Sequence, residues 1–468
     1  MGSAEEEKKV LTDEEKRIAR HKRRVRTTVF VYLTTLVFVL LLLAGVAYGA
    51  IRFTEMRAAK TAAVPVETPQ PQPEPAAEPE PVDTQTVTEY IGEEEQLTDP
   101  EPEDFEQPPT PEEMLDEIVD AAIQVMPLED KVAGLFVITP EALTGVDRAV
   151  KAGDSTKEAL DKYAVGGLLY GTDNIQNAEQ FGEMMANTQM YVHYPTFFLI
   201  SEEGGTDKDL SPITAAGLGE AVPFLGSLGS EGDEAAFRAA GSALGLNLSM
   251  YGFNTDLAPI ADLGEIGRNL SGRTLGETSE TVAARCAQVL EGLSESGVTG
   301  CVKYFPTLAA GNEDPAKERA LTLRSAEELR AGEFQVYSTL IASGVSMIQM
   351  SDLVFPALDE NGIPASLCEG IVSGVLRGEL GYEGVILSAP LNEETVKGYY
   401  APDEAAILAL KAGCDMIVAP EDFGAAYQGV LDACASGVIS EERINLALKR
   451  IYRIKYADRI EEQAQEDR

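Results

Sequence analysis

Between Val132 and Pro420, short and continuously apolar runs alternate with longer amphipathic ones. The short runs read VAGLFVI (132–138), GGLLYG (166–171), TFFLIS (196–201), FNTDLAPI (253–260), TGCVKYF (299–305), SMIQMSD (346–352), EGVILSA (383–389) and DMIVAP (415–420). Unbroken apolarity over so few residues marks parallel strands buried on both faces. The longer segments carry stripes at helical spacing. Val282, Cys286, Val289, Leu290 and Leu293 recur at i, i+4, i+7, i+8 and i+11, and Ile371, Val372, Val375, Leu376 and Leu380 make a similar stripe before the seventh run. Gly297, Gly344, Gly381 and Gly413 stand where helices must stop, as left-handed caps. Ser440, followed by Glu441 and Glu442, opens a last helix through 440–456 that is expected to close the structure. Eight strand–helix units predict a (β/α)8 TIM barrel, with its chemistry at the C-terminal ends of the strands. A doubly wound open sheet shares the local pattern, but no Gly-x-Gly-x-x-Gly follows the first run.

Hydropathy then divides the rest of the 468 residues. Residues 29–51 (VFVYLTTLVFVLLLLAGVAYGAI) are almost wholly apolar and long enough to span a bilayer. Lys16, Arg17, Arg20, Lys22, Arg23, Arg24 and Arg26 precede them, so residues 1–28 are expected in the cytoplasm and the barrel outside. A cleaved signal peptide is the rival, with Ala47-Tyr48-Gly49 as its cleavage site, but the apolar core is long for one. The expectation is a single-pass membrane protein. Residues 52–111 are rich in Pro and Glu and read as an extended, self-repelling linker. Roughly 50 such residues reach at most ~150 Å at polyproline rise. The barrel is assigned to 112–457, leaving a tail at 458–468.

A net charge of −41 excludes a nucleic-acid surface. Cys286, Cys301, Cys368, Cys414 and Cys434 show neither metal-ligand spacing nor Cys-x-x-Cys, and read as buried free thiols. No metal and no cofactor is expected.

Candidate chemistry gathers at the strand ends. The third run is followed by Ser201-Glu202-Glu203-Gly204-Gly205, an acidic pair before glycines that admit close approach of the backbone. The fourth leads to Asp256 and Asp262, and the loop NLSGRTLGE carries Arg273. The fifth delivers Lys303 and Tyr304, the sixth Asp352, and the seventh Ser388 and Ala389. Carboxylates, an arginine and a lysine around a pocket suit polyhydroxylated ligands, because each takes paired hydrogen bonds.

Taken in order, LEDKVAGLF, AVGGLLYGTDNIQNAEQF, EEGG, DLAPIAD, SGRTLGE, GCVKYFP, FPALDENGIPASL, LRGELGYEGVILS and LKAGCDMIVAP resemble glycoside hydrolase family 3. The similarity is to its single-domain β-N-acetylhexosaminidases, over roughly residues 112–457. It implies a barrel that hydrolyses N-acetylglucosamine linkages with retention. An Asp after the seventh strand would be the nucleophile, and a His after the fifth strand, held by an Asp, the acid/base.

The sequence departs from that pattern at those positions. Lys303, Phe305 and Pro306 are kept, but Tyr304 stands in the His position and the following Gly-His-Gly-Asp is missing. Ala389 stands in the nucleophile position and Pro390 in that of the second Asp. Ser201 occupies the place of a substrate-binding Asp, and Asp352 that of a His after the sixth strand. The chain has two histidines, His21 and His193, and neither follows the fifth strand. The resemblance therefore implies no catalytic residue here, and leaves Arg273, Lys303, Glu203, Asp262 and Asp352 as substrate-binding candidates.

Three expectations follow. The first is a membrane-tethered, non-catalytic relative that binds a cell-wall amino sugar or muropeptide, or a protein partner. The second is an active glycosidase whose carboxylates are relocated to Asp352, Glu393, Glu394 or Glu203, needing a pair ~5–5.5 Å or ~6.5–9.5 Å apart. The third is a scaffold whose old pocket is plugged by Tyr304 and Leu308, with Arg273 and Lys303 paired to acidic neighbours.

Overall fold

The eight-unit pattern folds, in the computed structural model, into a closed barrel of eight strands in sequential order. Residues 110–230, 234–264, 270, 272–308 and 320–457 are described. The basic segment 1–28, the apolar span 29–51, the linker up to 109 and the tail 458–468 lie outside them. Among the described residues no helix is long and apolar enough to cross a membrane.

The strands are β1 (Phe136–Ile138), β2 (Gly167–Leu169), β3 (Phe197–Ile200) and β4 (Thr255–Asp256). They continue with β5 (Thr299–Phe305), β6 (Met347–Met350), β7 (Val385–Pro390) and β8 (Met416–Val418). Each pairs in parallel with its successor, and β8 returns to β1 through Phe136↔Ile417 and Val137↔Val418. Helices cover the outside. The strands are therefore buried on both faces, as with Val137, Leu199, Val302, Ile348 and Ile386.

Two apolar runs lose more than half of their length as strands. Val132 and Ala133 belong to the helix Leu128–Ala133, whose first turn carries Glu129 and Asp130 and favours helical winding. Extended pairing starts only at Phe136. In the fourth run the ladder is confined to Thr255 and Asp256, because Pro259 has no N–H to donate. The chain rejoins β5 through a lone bridge, Ile260↔Lys303.

The helix boundaries follow local chemistry. Helix Pro111–Gln124 starts one residue before the expected domain boundary, since the fixed φ of Pro111 suits a first turn. Thr110 and Glu113 cap it reciprocally. Gly297, Gly344, Gly381 and Gly413 all take positive φ, between 69° and 118°, where a Cβ would be strained. The stripe before β7 is wound as a π-helix over Gly370–Glu379, and still buries Ile371, Val372, Val375 and Leu376. Ser440 caps the last helix, Glu441–Lys455, by accepting from the Arg443 amide. That helix lies on Pro111–Gln124, with Lys449 reaching Asp120 at 3.0 Å and Arg453 reaching Asp116 at 3.0 Å.

All five cysteines are free; four are buried and Cys434 is partly so. Burial pushes the Cys286 and Cys301 thiols well up, which keeps them protonated and unreactive.

Candidate functional site at the C-terminal mouth of the barrel

Beyond β3 the chain runs through Ser201, Glu202 and Glu203 without regular structure, and the two adjacent glutamates find different partners. Glu202 accepts from the Ile213 amide at 2.8 Å and caps the short helix Pro212–Ala215. Its own amide donates to Asp256 Oδ1 at 2.9 Å. Burial raises both carboxyls, Asp256 well above its usual range. Glu203 instead takes two cations. The tight turn beyond it needs glycine: Gly204 and Gly205 have φ of +76° and +82°, and a Cβ on Gly204 would lie 2.3 Å from the Pro223 carbonyl oxygen.

Glu203, Arg273 and Lys303 form one buried cluster. Arg273 grips the carboxylate with both arms, Nη2 to Oε1 at 2.5 Å and Nε to Oε2 at 3.0 Å. Lys303 Nζ lies 3.1 Å from the same Oε1 and donates to the Ser201 hydroxyl at 2.8 Å. Burial alone would raise the Glu203 carboxyl, but Lys303 and Arg273 together hold it below the usual carboxylate range. Burial likewise works against charge on Lys303, and the nearby Tyr304 and Glu203 more than offset it. A hydrogen bond from Arg273 to the Tyr304 side chain adds to the raising of the guanidinium, behind burial, which opposes it, and Glu203. Tyr304 and Leu308 pack on Ile260 and Leu270, making an apolar pad beside the cluster.

Asp262 and Asp352 sit apart from that cluster in their bonding. Asp262 is 1 % exposed, and its Oδ1 accepts from the Thr307 hydroxyl and from the Leu308 amide at 2.7 Å. It holds the start of the loop after β5, so one oxygen at least is committed to the protein itself. Asp352, at the end of β6, is raised by burial against a hydrogen bond from Thr395. Its Oδ2 has no hydrogen-bond partner among the described residues.

The end of β7 offers little chemistry. Ala389 is 1 % exposed and presents a methyl group. The Ser388 hydroxyl donates to the Ala389 carbonyl at 2.7 Å and accepts from the Val418 amide at 2.9 Å, which spends it on the β7–β8 joint. Beyond β7, Glu394 starts the short helix Glu394–Lys397 and pairs with Lys397 at 3.0 Å. His193 is exposed before β3 and meets Asp161 at 2.9 Å.

This ring of strand ends can be compared with known proteins. Residues 127–454 match the glycosyl hydrolase family 3 N terminal domain. The chain belongs to that family. A β-hexosaminidase of Idiomarina loihiensis is 27 % identical over 298 residues, covering 62 % of this chain and 88 % of the relative. A β-N-acetylglucosaminidase/β-glucosidase of Cellulomonas fimi is 26 % identical, and there the match spans only 52 % of the relative's length. Among solved structures, a glycoside hydrolase family 3 β-N-acetylglucosaminidase from Paenibacillus sp. is 28 % identical with a TM-score of 0.66, covering 72 % of this chain and 64 % of that one. The β-N-acetylhexosaminidase of Beutenbergia cavernae, at 22 % identity and a TM-score of 0.62, shares the fold over 70 % of this chain and 98 % of its own.

Within this family 3 barrel, the structure brings Glu203, Arg273 and Lys303 into direct contact. Sequence reading missed two supporting residues. Thr395 bonds Asp352 from the short helix after β7, and Thr307 bonds Asp262. Neither threonine stands in a motif, and only the folded loops bring them to their partners.

Proposed function

We propose that this protein is a family 3 barrel that recognises an amino sugar without hydrolysing it. The observation that carries the reading is at the end of β7: Ala389 offers only a methyl group and the Ser388 hydroxyl is bonded to the Ala389 carbonyl and the Val418 amide, so neither supplies a carboxylate for a glycosyl intermediate. A retaining hydrolase needs such a nucleophile and a separate proton donor. Neither histidine of the sequence follows β5 to serve as that donor. Arg273 and Lys303 are the groups that would meet sugar hydroxyls, and exchange part of their bonding with Glu203 and Ser201 for the ligand. The activities of the relatives supply the sugar class, N-acetylglucosamine. The apolar span 29–51 and the acidic linker would carry the barrel outside the membrane, towards cell-wall muropeptides.

A second reading rests on Asp352, whose burial raises its carboxyl as a general acid requires. In that case the protein is an active glycosidase with a displaced acid. One experiment separates the two. The purified full chain is offered an aryl N-acetylglucosaminide, and its binding of N-acetylglucosamine and muropeptides is followed by calorimetry. Binding without turnover supports recognition alone. Turnover that Asp352→Asn abolishes supports the second reading. Neither turnover nor binding rejects both and points to a protein partner.

A further inference from the structure

The opposite end of the barrel carries chemistry that the mouth does not use. There the starts of β3, β5 and β6 and the last turn of Glu441–Lys455 surround a cavity of about 920 Å3. Leu115, Phe197, Leu290, Leu340 and Ile454 give it apolar walls. Its ionisable lining residues are Glu291, Arg453 and Lys455. The first two already have counter-ions: Arg238 stands 2.6 Å from Glu291, and Asp116 stands 3.0 Å from Arg453.

Lys455 does not share that arrangement. Its Nζ donates to the Gly166 carbonyl at 2.8 Å. It also lies 4.6 Å from the ring centre of Phe197 and 5.1 Å from that of Tyr452. A carbonyl dipole and two ring faces balance a charge only in part. Burial alone acts on the amine among the described residues, pushing it down to about 7. An arriving anion would supply a counter-charge that none of the described residues provides.

The surroundings narrow the class of that anion. Several polar lining groups are already used within the protein: Asn254 accepts from the Phe198 amide at 2.8 Å and donates one N–H to the Thr196 carbonyl at 3.0 Å, and the hydroxyls of Thr196, Ser294 and Ser343 donate to backbone carbonyls. One cation with no carboxylate partner among the described residues, beside apolar walls, matches a single negative charge on an apolar body, and not a phosphate, which calls for several donors. We propose that this cavity is a second ligand site, taking a small carboxylate with an apolar body whose charge pairs with Lys455. It is independent of the reading given for the mouth.

The test uses 3-phenylpropionate and its neutral counterpart 3-phenylpropanol, each titrated calorimetrically into the full chain and into Lys455→Met. Wild type should bind the acid more tightly than the alcohol by on the order of tenfold or more, and Lys455→Met should lose that preference. Equal affinity for acid and alcohol, no saturable binding of the acid, or an unchanged preference in the variant overturns the proposal. If Lys455→Met fails to fold, wild type is reductively methylated with 13C-formaldehyde. The Lys455 dimethylamine signal should then titrate at higher pH with the acid present, and not with the alcohol. A midpoint unmoved by the acid overturns the proposal as surely.

Discussion

The two sides of the barrel mouth differ sharply in charge. On the β3–β5 side three full charges are in contact, Glu203 with Arg273 and Lys303, and all are largely removed from water. On the β6–β7 side stand a methyl group, a hydroxyl bonded within the sheet and one carboxyl that burial pushes towards its neutral form. The charged side holds itself together, because each member is the others' counter-ion. The other side has nothing of the kind to lose. The ions of such a cluster satisfy one another whether or not a reaction takes place beside them, so its presence alone says little about turnover.

The sharpest way to break that comparison is Glu203→Gln. It strands two buried cations, and is expected to cost about 3–5 kcal/mol of stability in urea unfolding. A cost below ~1 kcal/mol would mean that the cluster is solvated and its self-support is illusory. The converse substitution, Ala389→Asp, places a carboxylate on the uncharged side. With an aryl N-acetylglucosaminide whose leaving group needs no acid, hydrolysis should rise by roughly two orders of magnitude or more over wild type. A variant no faster than wild type would show that the methyl is not what limits the reaction.

The pH dependence should also differ between the sides. Glu203 is held below its usual value, so its stabilising contribution is complete above the ordinary glutamate pKa and is lost as pH falls through the lowered one. Asp352 is raised, so its contribution is complete below the ordinary aspartate pKa and is lost as pH rises through the raised value. Melting temperatures against pH should therefore lose acid sensitivity in Glu203→Gln, and lose a decline on the higher-pH side in Asp352→Asn. Parallel curves for both variants and wild type would contradict the assigned directions. The smallest effect is expected from Tyr304→Phe, which removes a hydrogen bond to Arg273 and should cost about 0.5–1.5 kcal/mol by thermal unfolding.

The barrel itself was legible in the sequence because its period is set by local rules. Apolar runs and stop glycines are both written residue by residue, and Gly297, Gly344, Gly381 and Gly413 all adopt the expected hand. The overreach at 132–133 and beyond Asp256 came from apolarity without strand pairing: a helix buries Val132 just as well, and Pro259 interrupts the ladder. The membership of the charged cluster was also legible, since Glu203 follows β3, Arg273 lies on the loop after β4 and Lys303 stands in the last half of β5. The pairing was not. Arg273 and Glu203 stand 70 positions apart, and nothing local says that they will satisfy each other before any ligand does. Nor does the spelling of Glu202-Glu203 reveal which carboxylate caps a helix and which meets the cations. Lys455 was hidden differently. In sequence it is one more basic residue in a last helical turn, where the dipole favours it; only the closed barrel places it against Phe197 and Gly166.

The return of β8 to β1 has a consequence for how this protein is made. Val137 and Val418 are register partners although about 280 residues separate them, so the loop between them must be gathered before either gains its neighbour. During synthesis β1 emerges early and keeps one unpaired edge until almost the entire barrel has followed it. Completion of the ring is thus a late event. In that interval the growing chain is most exposed to mispairing, and a substitution that slows the appearance of β8 would act on yield rather than on the finished protein.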